Sequence, residues 1–285
     1  MKRLEMKRLL LPLTLTLAAS ASALAQTGGL ERRDGDVFVG PVRTARVETA
    51  RYVKQDGALV EGPRRLSASA SYSEDGKRSE QEEYAEDGTM QQRIVHVYDD
   101  AGRLVEQEIY DGRGGLTAKV VSRPDAGEVV TYGPDGKLQQ RVVTVRGENG
   151  VTETKTYDAS GALLERGMLA HGDGGAVAKT YDANGTLRRE TTARRVEDGG
   201  HSNEEQRYGA NGAPVARRVA TVGAGSGDVD VSVERPRGTQ FEKTRVTREY
   251  DSRGNVVKSV SYVWDKAAGD LVPSEVNYYT VTYYR

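Results

Sequence analysis

The chain has no cysteine, so no disulfide can staple it, and its stability must come from apolar burial and backbone ladders. It has no excess of either charge: 41 Lys and Arg stand against 42 Asp and Glu. A polyanion-binding surface would need a basic patch, yet Arg64-Arg65, Arg188-Arg189, Arg194-Arg195 and Arg217-Arg218 are diluted by nearby acids, and neighbours on a strand point to opposite faces. Nucleic acid is therefore not expected as a partner. Only three histidines occur, His96, His171 and His201, with no His or Cys at metal-ligand spacing. Neither Gly-x-Ser-x-Gly nor His-Glu-x-x-His is present. No cofactor and no catalytic residue are expected.

Long apolar runs are also missing, apart from one near the N-terminus. Lys2, Arg3, Lys7 and Arg8 precede an apolar stretch from Leu9 to Ala19, and Ala23-Leu24-Ala25 has the small-x-small form of a signal peptidase site. The run is shorter than the ~20 residues that span a bilayer. We expect a signal peptide over 1–25, cleavage after Ala25, and no transmembrane span afterwards; Met6 is an alternative start. Without a cysteine after the site, lipid attachment there is excluded. Removing this segment, net +3, takes the formal charge from −1 to −4. The expected location is the periplasm or the cell exterior.

What is abundant is a turn. Thr156-Tyr157-Asp158-Ala159-Ser160-Gly161-Ala162-Leu163 recurs 24 residues later as Thr180-Tyr181-Asp182-Ala183-Asn184-Gly185-Thr186-Leu187. In Tyr-Asp-x-x-Gly-x-Leu, Asp starts a type I turn and accepts hydrogen bonds from its amides, while Gly takes the left-handed position that closes a bulged hairpin. Tyr157 should then face Leu163 across the hairpin, a cross-strand pair of roughly 0.2–1 kcal/mol. The same six-residue step joins Tyr84 to Met90, Tyr98 to Leu104, Tyr110 to Leu116, Tyr132 to Leu138, Tyr181 to Leu187 and Tyr250 to Val256. Tyr208 with Pro214 is a weaker copy, Tyr72 with Arg78 fails, and near Tyr52 the pattern is displaced so that Val53 and Leu59 flank Gly57. The structural turn residues read this way include Asp99, Gly102, Gly136, Asp158, Gly161, Asp182, Gly185, Asp251 and Gly254.

Turn signals fall every 12 to 19 residues up to Gly114, and beyond Tyr110 the Tyr spacing lengthens to 22 to 27, which is two strands and two turns. No sustained helical period follows residue 25. The expectation is an all-β chain, an antiparallel meander or hairpin repeat array in a twisted or rolled sheet. A polar linker over 26–36 leads into a single β-repeat domain over 37–285. A loop insertion is expected near 223–228, with a strand from Val229 to Glu234 after it, and the Tyr-rich stretch from Val276 to Tyr284 is expected to be buried on both sides or to cap the array.

Tyr98-Asp99-Asp100-Ala101-Gly102-Arg103-Leu104 and Tyr250-Asp251-Ser252-Arg253-Gly254-Asn255-Val256 resemble the YD repeat of the Rhs proteins and teneurins, and Tyr132-Gly133-Pro134-Asp135-Gly136-Lys137-Leu138 is similar without the first Asp. The resemblance runs from about Tyr72 to Val257. In that family the repeats build a spiralling β-sheet that can wrap into a shell. The resemblance implies a surface-exposed or periplasmic repeat sheet and transfers no catalytic residue.

Three functional readings follow. The first is an exported, non-enzymatic structural or binding module at the cell envelope. Tyr98, Tyr132, Tyr157, Tyr181 and Tyr250 are its candidate binding residues, stacking on a cell-surface glycan or on a partner protein; the competing reading packs each Tyr on its Leu. The second is a component of an interbacterial toxin system, a truncated Rhs relative or an immunity-type partner. The third is a glycan-processing enzyme, which would need two carboxylates converging in a cleft, about 5–10 Å apart. Exposed first or last strands are expected to allow self-association.

Overall fold

The computed structural model describes residues 38–147, 150–172, 174–196, 199–222, 229–234 and 244–285. The expected signal peptide, the linker and the 223–228 insertion lie outside them. The chain forms β1 (Val42–Gln55), β2 (Ala58–Glu61), β3 (Arg65–Tyr72), β4 (Arg78–Tyr84), β5 (Met90–Tyr98), β6 (Leu104–Asp111) and β7 (Leu116–Arg123). A 3-10 turn, Pro124–Ala126, then leads to β8 (Glu128–Tyr132), β9 (Leu138–Arg146), β10 (Thr152–Asp158), β11 (Leu163–Gly172), β12 (Gly175–Asp182) and β13 (Leu187–Arg195). The remaining strands are β14 (His201–Tyr208), β15 (Pro214–Val222), β16 (Val229–Glu234), β17 (Thr244–Tyr250), β18 (Val256–Asp265) and β19 (Asp270–Tyr283). The chain is all-β, as its turn spacing predicts, and β16 occupies the expected range.

Every copy of the turn follows the six-residue step, from Tyr84 opposite Met90 to Tyr250 opposite Val256. At Tyr157 the Asp158 carboxylate accepts from the Ser160 and Ala162 amides at 2.8 and 2.9 Å, and Gly161 has φ 83°. One detail is not in the motif. Thr156 pairs with Glu165 and Tyr157 with Leu163, so Leu164 is an extra residue that bulges out of the ladder. Val215 is its counterpart after Tyr208, and both side chains are exposed.

Two departures have local causes. Asp56 and Gly57 both have positive φ, 51° and 85°, which makes a two-residue type I′ turn with no bulge. Val53 therefore faces Val60, and Leu59 faces Lys54. After Tyr72 the turn starts in the usual place, at Ser73, but closes one residue later, the Ser73 amide donating to the Arg78 carbonyl, so Tyr72 pairs with Ser79.

Each strand pairs antiparallel with the next, except that β3 joins β1 rather than β2. β1 also pairs with β19, from Val42 opposite Tyr283 to Arg51 opposite Glu275. Among the described residues, the pairing order of the eighteen strands other than β2 is therefore cyclic, and the even number is what an all-antiparallel cycle demands. First and last strands, expected as open edges, occupy one another. Val276 of β19, between β18 and β1, is fully buried, while the tyrosines flanking it are half-buried.

Paired residues share a face, so the register assigns every side chain. One face is charged, with Glu80 and Arg93, Glu106 and Lys119, Glu128 and Arg141, Glu153 and Arg166 at mid-strand. The other carries small or neutral residues at the same heights, such as Ala68 and Ala70, Ala118 and Val120, Thr154 and Thr156, Ala176 and Ala178. The small-residue face buries Ala45, Ser79, His96, Ile109 and Val120; the charged face buries Val95, Val130 and a cluster of Ala50, Val260 and Val276 under Tyr52, Tyr262 and Tyr278. Val95 sits between Glu80 and Glu108 in the ladder, where long polar side chains shield an apolar one.

Candidate functional site

A meander advances in one direction. Identical turns at its two ends are thus related by a two-fold axis lying in the sheet, which exchanges the faces. The turns after β4, β6, β8, β10, β12 and β14 lie at one end, here the upper, and those after β5 and β17 at the lower. The result is a division of the candidate tyrosines. Tyr132, Tyr157 and Tyr181 lie on the charged face beside Tyr84 and Tyr110, on every second strand and ~10 Å apart. Tyr98 and Tyr250 point to the small-residue face at the other end, Tyr98 8% exposed and Tyr250 48%. Only three of the five candidates share a surface.

That surface has a feature the turn motif does not announce. Ion pairs join Glu80 to Arg93 at 3.1 Å, Glu106 to Lys119 at 2.7 Å, Glu128 to Arg141 at 2.5 Å, Glu153 to Arg166 at 2.6 Å and Glu204 to Arg217 at 2.7 Å. In each, the acid stands four residues before an upper-end Tyr and the cation nine after it. The repeat is therefore Glu-x-x-x-Tyr-x-x-x-Gly-x-Leu-x-x-Arg/Lys, with a cation also opposite the next Tyr: Arg93 opposite Tyr110, Lys119 opposite Tyr132, Arg141 opposite Tyr157 and Arg166 opposite Tyr181. The Arg93 guanidinium lies 4.2 Å from the Tyr110 ring centre, a cation–π contact. At lower-end copies the same positions hold Ile94 and Gln107, or Val246 and Ser259. Face and charge are coupled, so the sequence itself tells the two kinds of turn apart. The Tyr181 unit exchanges its pair for Lys179 and Glu190, 3.6 Å apart.

The turn acids are committed locally. Asp158 is held below the usual carboxylate range by the Ser160 hydroxyl and then the Ala162 amide; Asp99, Asp182 and Asp251 are lowered first by the amides of Arg103, Thr186 and Asn255. Gly102, Gly136, Gly185 and Gly254 take the left-handed conformation at their turns. Glu153 is lowered chiefly by Arg166, and Glu128 by Arg141 and then Arg123. None of these carboxylates is poised as a proton donor near neutral pH.

Two other places hold polar groups together. A groove of about 530 Å³ at the upper end is lined by Thr49, Arg51, Arg65, Ser67, Tyr84, Glu86, Gln91 and Glu275. Glu86 bridges Arg51 at 2.6 Å and Arg65 at 3.1 Å. On the small-residue face, His96 is buried between Ser79, 3.4 Å from Nδ1, and the Gln107 amide nitrogen, 3.1 Å from Nε2. Burial pushes its pKa down, and the Gln107 contact makes Nε2 the acceptor and Nδ1 the donor to Ser79. This is a neutral, packed histidine. His171 and His201 are exposed strand-end residues. Among the described residues, no three His, Cys, Asp or Glu cluster as a metal would need, and no helix is long and apolar enough to cross a membrane.

No protein-family model matches the chain, and no curated protein matches it. Among solved structures it is similar to a porin-like protein from Bacteroides uniformis, at 9% identity and TM-score 0.34, covering 83% of this chain and 97% of that one. It is also similar to a TcdB2-TccC3-TEV chain, at 10% identity and TM-score 0.13, covering 76% of this chain but 20% of that one.

Proposed function

We propose that this is an exported, non-enzymatic repeat module of the bacterial cell envelope, whose charged face recognises a cell-surface glycan or an envelope protein. The observation that carries the reading is the row of Tyr132, Tyr157 and Tyr181, three half-buried rings on one face at ~10 Å intervals, each flanked by a Leu across its hairpin and a cation on the other side. Aromatic rings beside guanidinium and carboxylate groups offer both stacking and hydrogen bonds to a polyhydroxylated ligand. The signal peptide expected over 1–25 and the resemblance to YD repeats support the envelope location.

Two alternatives fit less well. A membrane-spanning sheet needs an apolar band on its lipid side, but Glu and Arg pairs occupy mid-strand on the charged face, and Arg189, Arg207 and Arg218 lie on the other. A glycosidase needs free, convergent carboxylates, whereas the repeated Asp and Glu residues are bound within their own turns and ion pairs.

The test is binding of the purified protein to fractionated cell envelope across a salt series, beside a Tyr132→Ala/Tyr157→Ala/Tyr181→Ala variant checked by circular dichroism. We expect saturable binding that the folded variant loses. Equal binding by wild type and variant would remove the tyrosine row from the recognition surface.

A further inference from the structure

Among the described strands, β2 alone has a single neighbour, so its outer edge is open. The β1–β2 hairpin continues past the end of the β1–β19 ladder, which stops at Arg51 opposite Glu275. Just beyond that point β19 places Pro273, which has no N–H to offer. The β19 edge is thereby guarded, and β2, Ala58-Leu59-Val60-Glu61, has neither Pro nor Lys to guard it. Apolar side chains are exposed at this site: Val53 is 47% and Leu59 36% accessible.

The hydrogen-bond phase of the hairpin fixes what the edge can do. In a two-residue turn the flanking pair, Gln55 and Ala58, exchanges backbone hydrogen bonds. The Gly62 amide donates to the Arg51 carbonyl at 2.9 Å, which is the same phase two pairs further on. Leu59 and Glu61 lie between these pairs, so their N–H and C=O groups point away from β1.

We propose that β2 is a self-association edge and that its occupant is β2 of a second copy, related by a two-fold axis through Val60. In that register Leu59 of each copy exchanges backbone bonds with Glu61 of the other, four hydrogen bonds in all, and the two Val60 residues meet as a non-hydrogen-bonded pair. Val53 lies beside Val60 on the same face, so the four-stranded sheet carries a row of four valines across the junction. Only a strand with outward groups at positions one before and one after its centre can pair with itself in this way. A strand of four residues buries far less than the ~800 Å² per partner of a standard interface, so the dimer is weak and concentration-dependent.

The absence of cysteine makes the register directly readable. Non-hydrogen-bonded partners have Cα atoms ~4.5 Å apart, within disulfide range, whereas the two Leu59 residues would lie more than ~7 Å apart, beyond it. Val60→Cys under mild oxidation should give a disulfide dimer at least tenfold faster than Leu59→Cys. In light scattering of the wild type, the mean mass should rise with concentration. Leu59→Pro removes an N–H that faces the second copy and not β1, and should keep the circular dichroism spectrum while abolishing that rise. Equal cross-linking rates at positions 59 and 60 would overturn the register. A wild-type mass that stays monomeric up to millimolar concentration would overturn self-pairing and leave the edge to a foreign strand.

Discussion

At the scale of single residues, the turns state their own energetics. Gly161 has φ 83° and open space where a Cβ would sit, so Gly161→Ala should cost only the left-handed backbone penalty, roughly 1–2 kcal/mol. Chemical denaturation would show it as a shifted midpoint with an unchanged slope. Titration of the turn acids gives a second outcome. Asp99, Asp158, Asp182 and Asp251 have folded pKa values below their unfolded value of about 3.9. Their stabilisation is fully present above that value and is lost as pH falls through the depressed folded values, because the unfolded chain then binds more protons. His96 adds a separate, higher window. Its folded pKa lies below about 6.5, so stability should fall as pH drops from about 6.5 towards that folded value. Melting temperatures between pH 7.5 and 5.5 should slope more steeply for the wild type than for His96→Gln; parallel slopes would clear His96 of the effect.

At the scale of the element, a hairpin is a turn, a Tyr–Leu pair and an ion pair in one frame. The pairs are exposed, so a Glu153/Arg166 double-mutant cycle should give a coupling of about 0.2–1 kcal/mol, falling with salt. The Tyr181 unit has Val177 and Glu190 where its neighbours have an acid and a cation; Val177→Glu with Glu190→Arg should be tolerated, while Glu190→Arg alone places a cation near Lys179 and should lower the melting temperature. Much of this level was legible in the sequence. The six-residue step from Tyr to its apolar partner locates each Tyr-bearing hairpin from Tyr84 to Tyr250, since Asp and Gly leave the backbone little choice; the turns between them are marked only by their glycines and prolines. The split of the tyrosines between two faces was not legible from the turn alone, because the motif is the same at both ends of the sheet. It becomes readable once Glu at the fourth residue before Tyr and Arg or Lys at the ninth after it are included.

At the scale of the molecule, the cyclic pairing rests on one lower-end turn. Asn255, fully buried, donates from Nδ2 to the Tyr283 hydroxyl at 2.6 Å and the Val39 carbonyl at 3.3 Å, and its Oδ1 accepts from the Val39 amide. The Tyr284 amide donates to the Pro41 carbonyl, and its hydroxyl to the Tyr72 carbonyl. Other copies of the turn place Arg103, Lys137, Ala162 or Thr186 where Asn255 stands. Asn255→Ala should cost roughly 1–3 kcal/mol for each buried group left without a partner. Hydrogen exchange should locate the loss in β1 and β19, with β10 to β13 unchanged. Pairing of the first strand with the last was not derivable from local pattern, since nothing within β1 or β19 names a partner more than two hundred residues away.

The pairing of β1 with β19 also imposes an order of events. Among the described strands β1 is made first, and of its three neighbours, β2, β3 and β19, one is made after all the others. Until Asp270–Tyr283 has been made, β1 must wait with its β19-facing hydrogen-bonding groups unanswered, while more than two hundred residues are added. Contacts of such long sequence separation form slowly, so a nascent chain exposes a sticky edge that the finished protein conceals. A cell that makes this protein must keep that strand from finding the wrong partner before the right one exists.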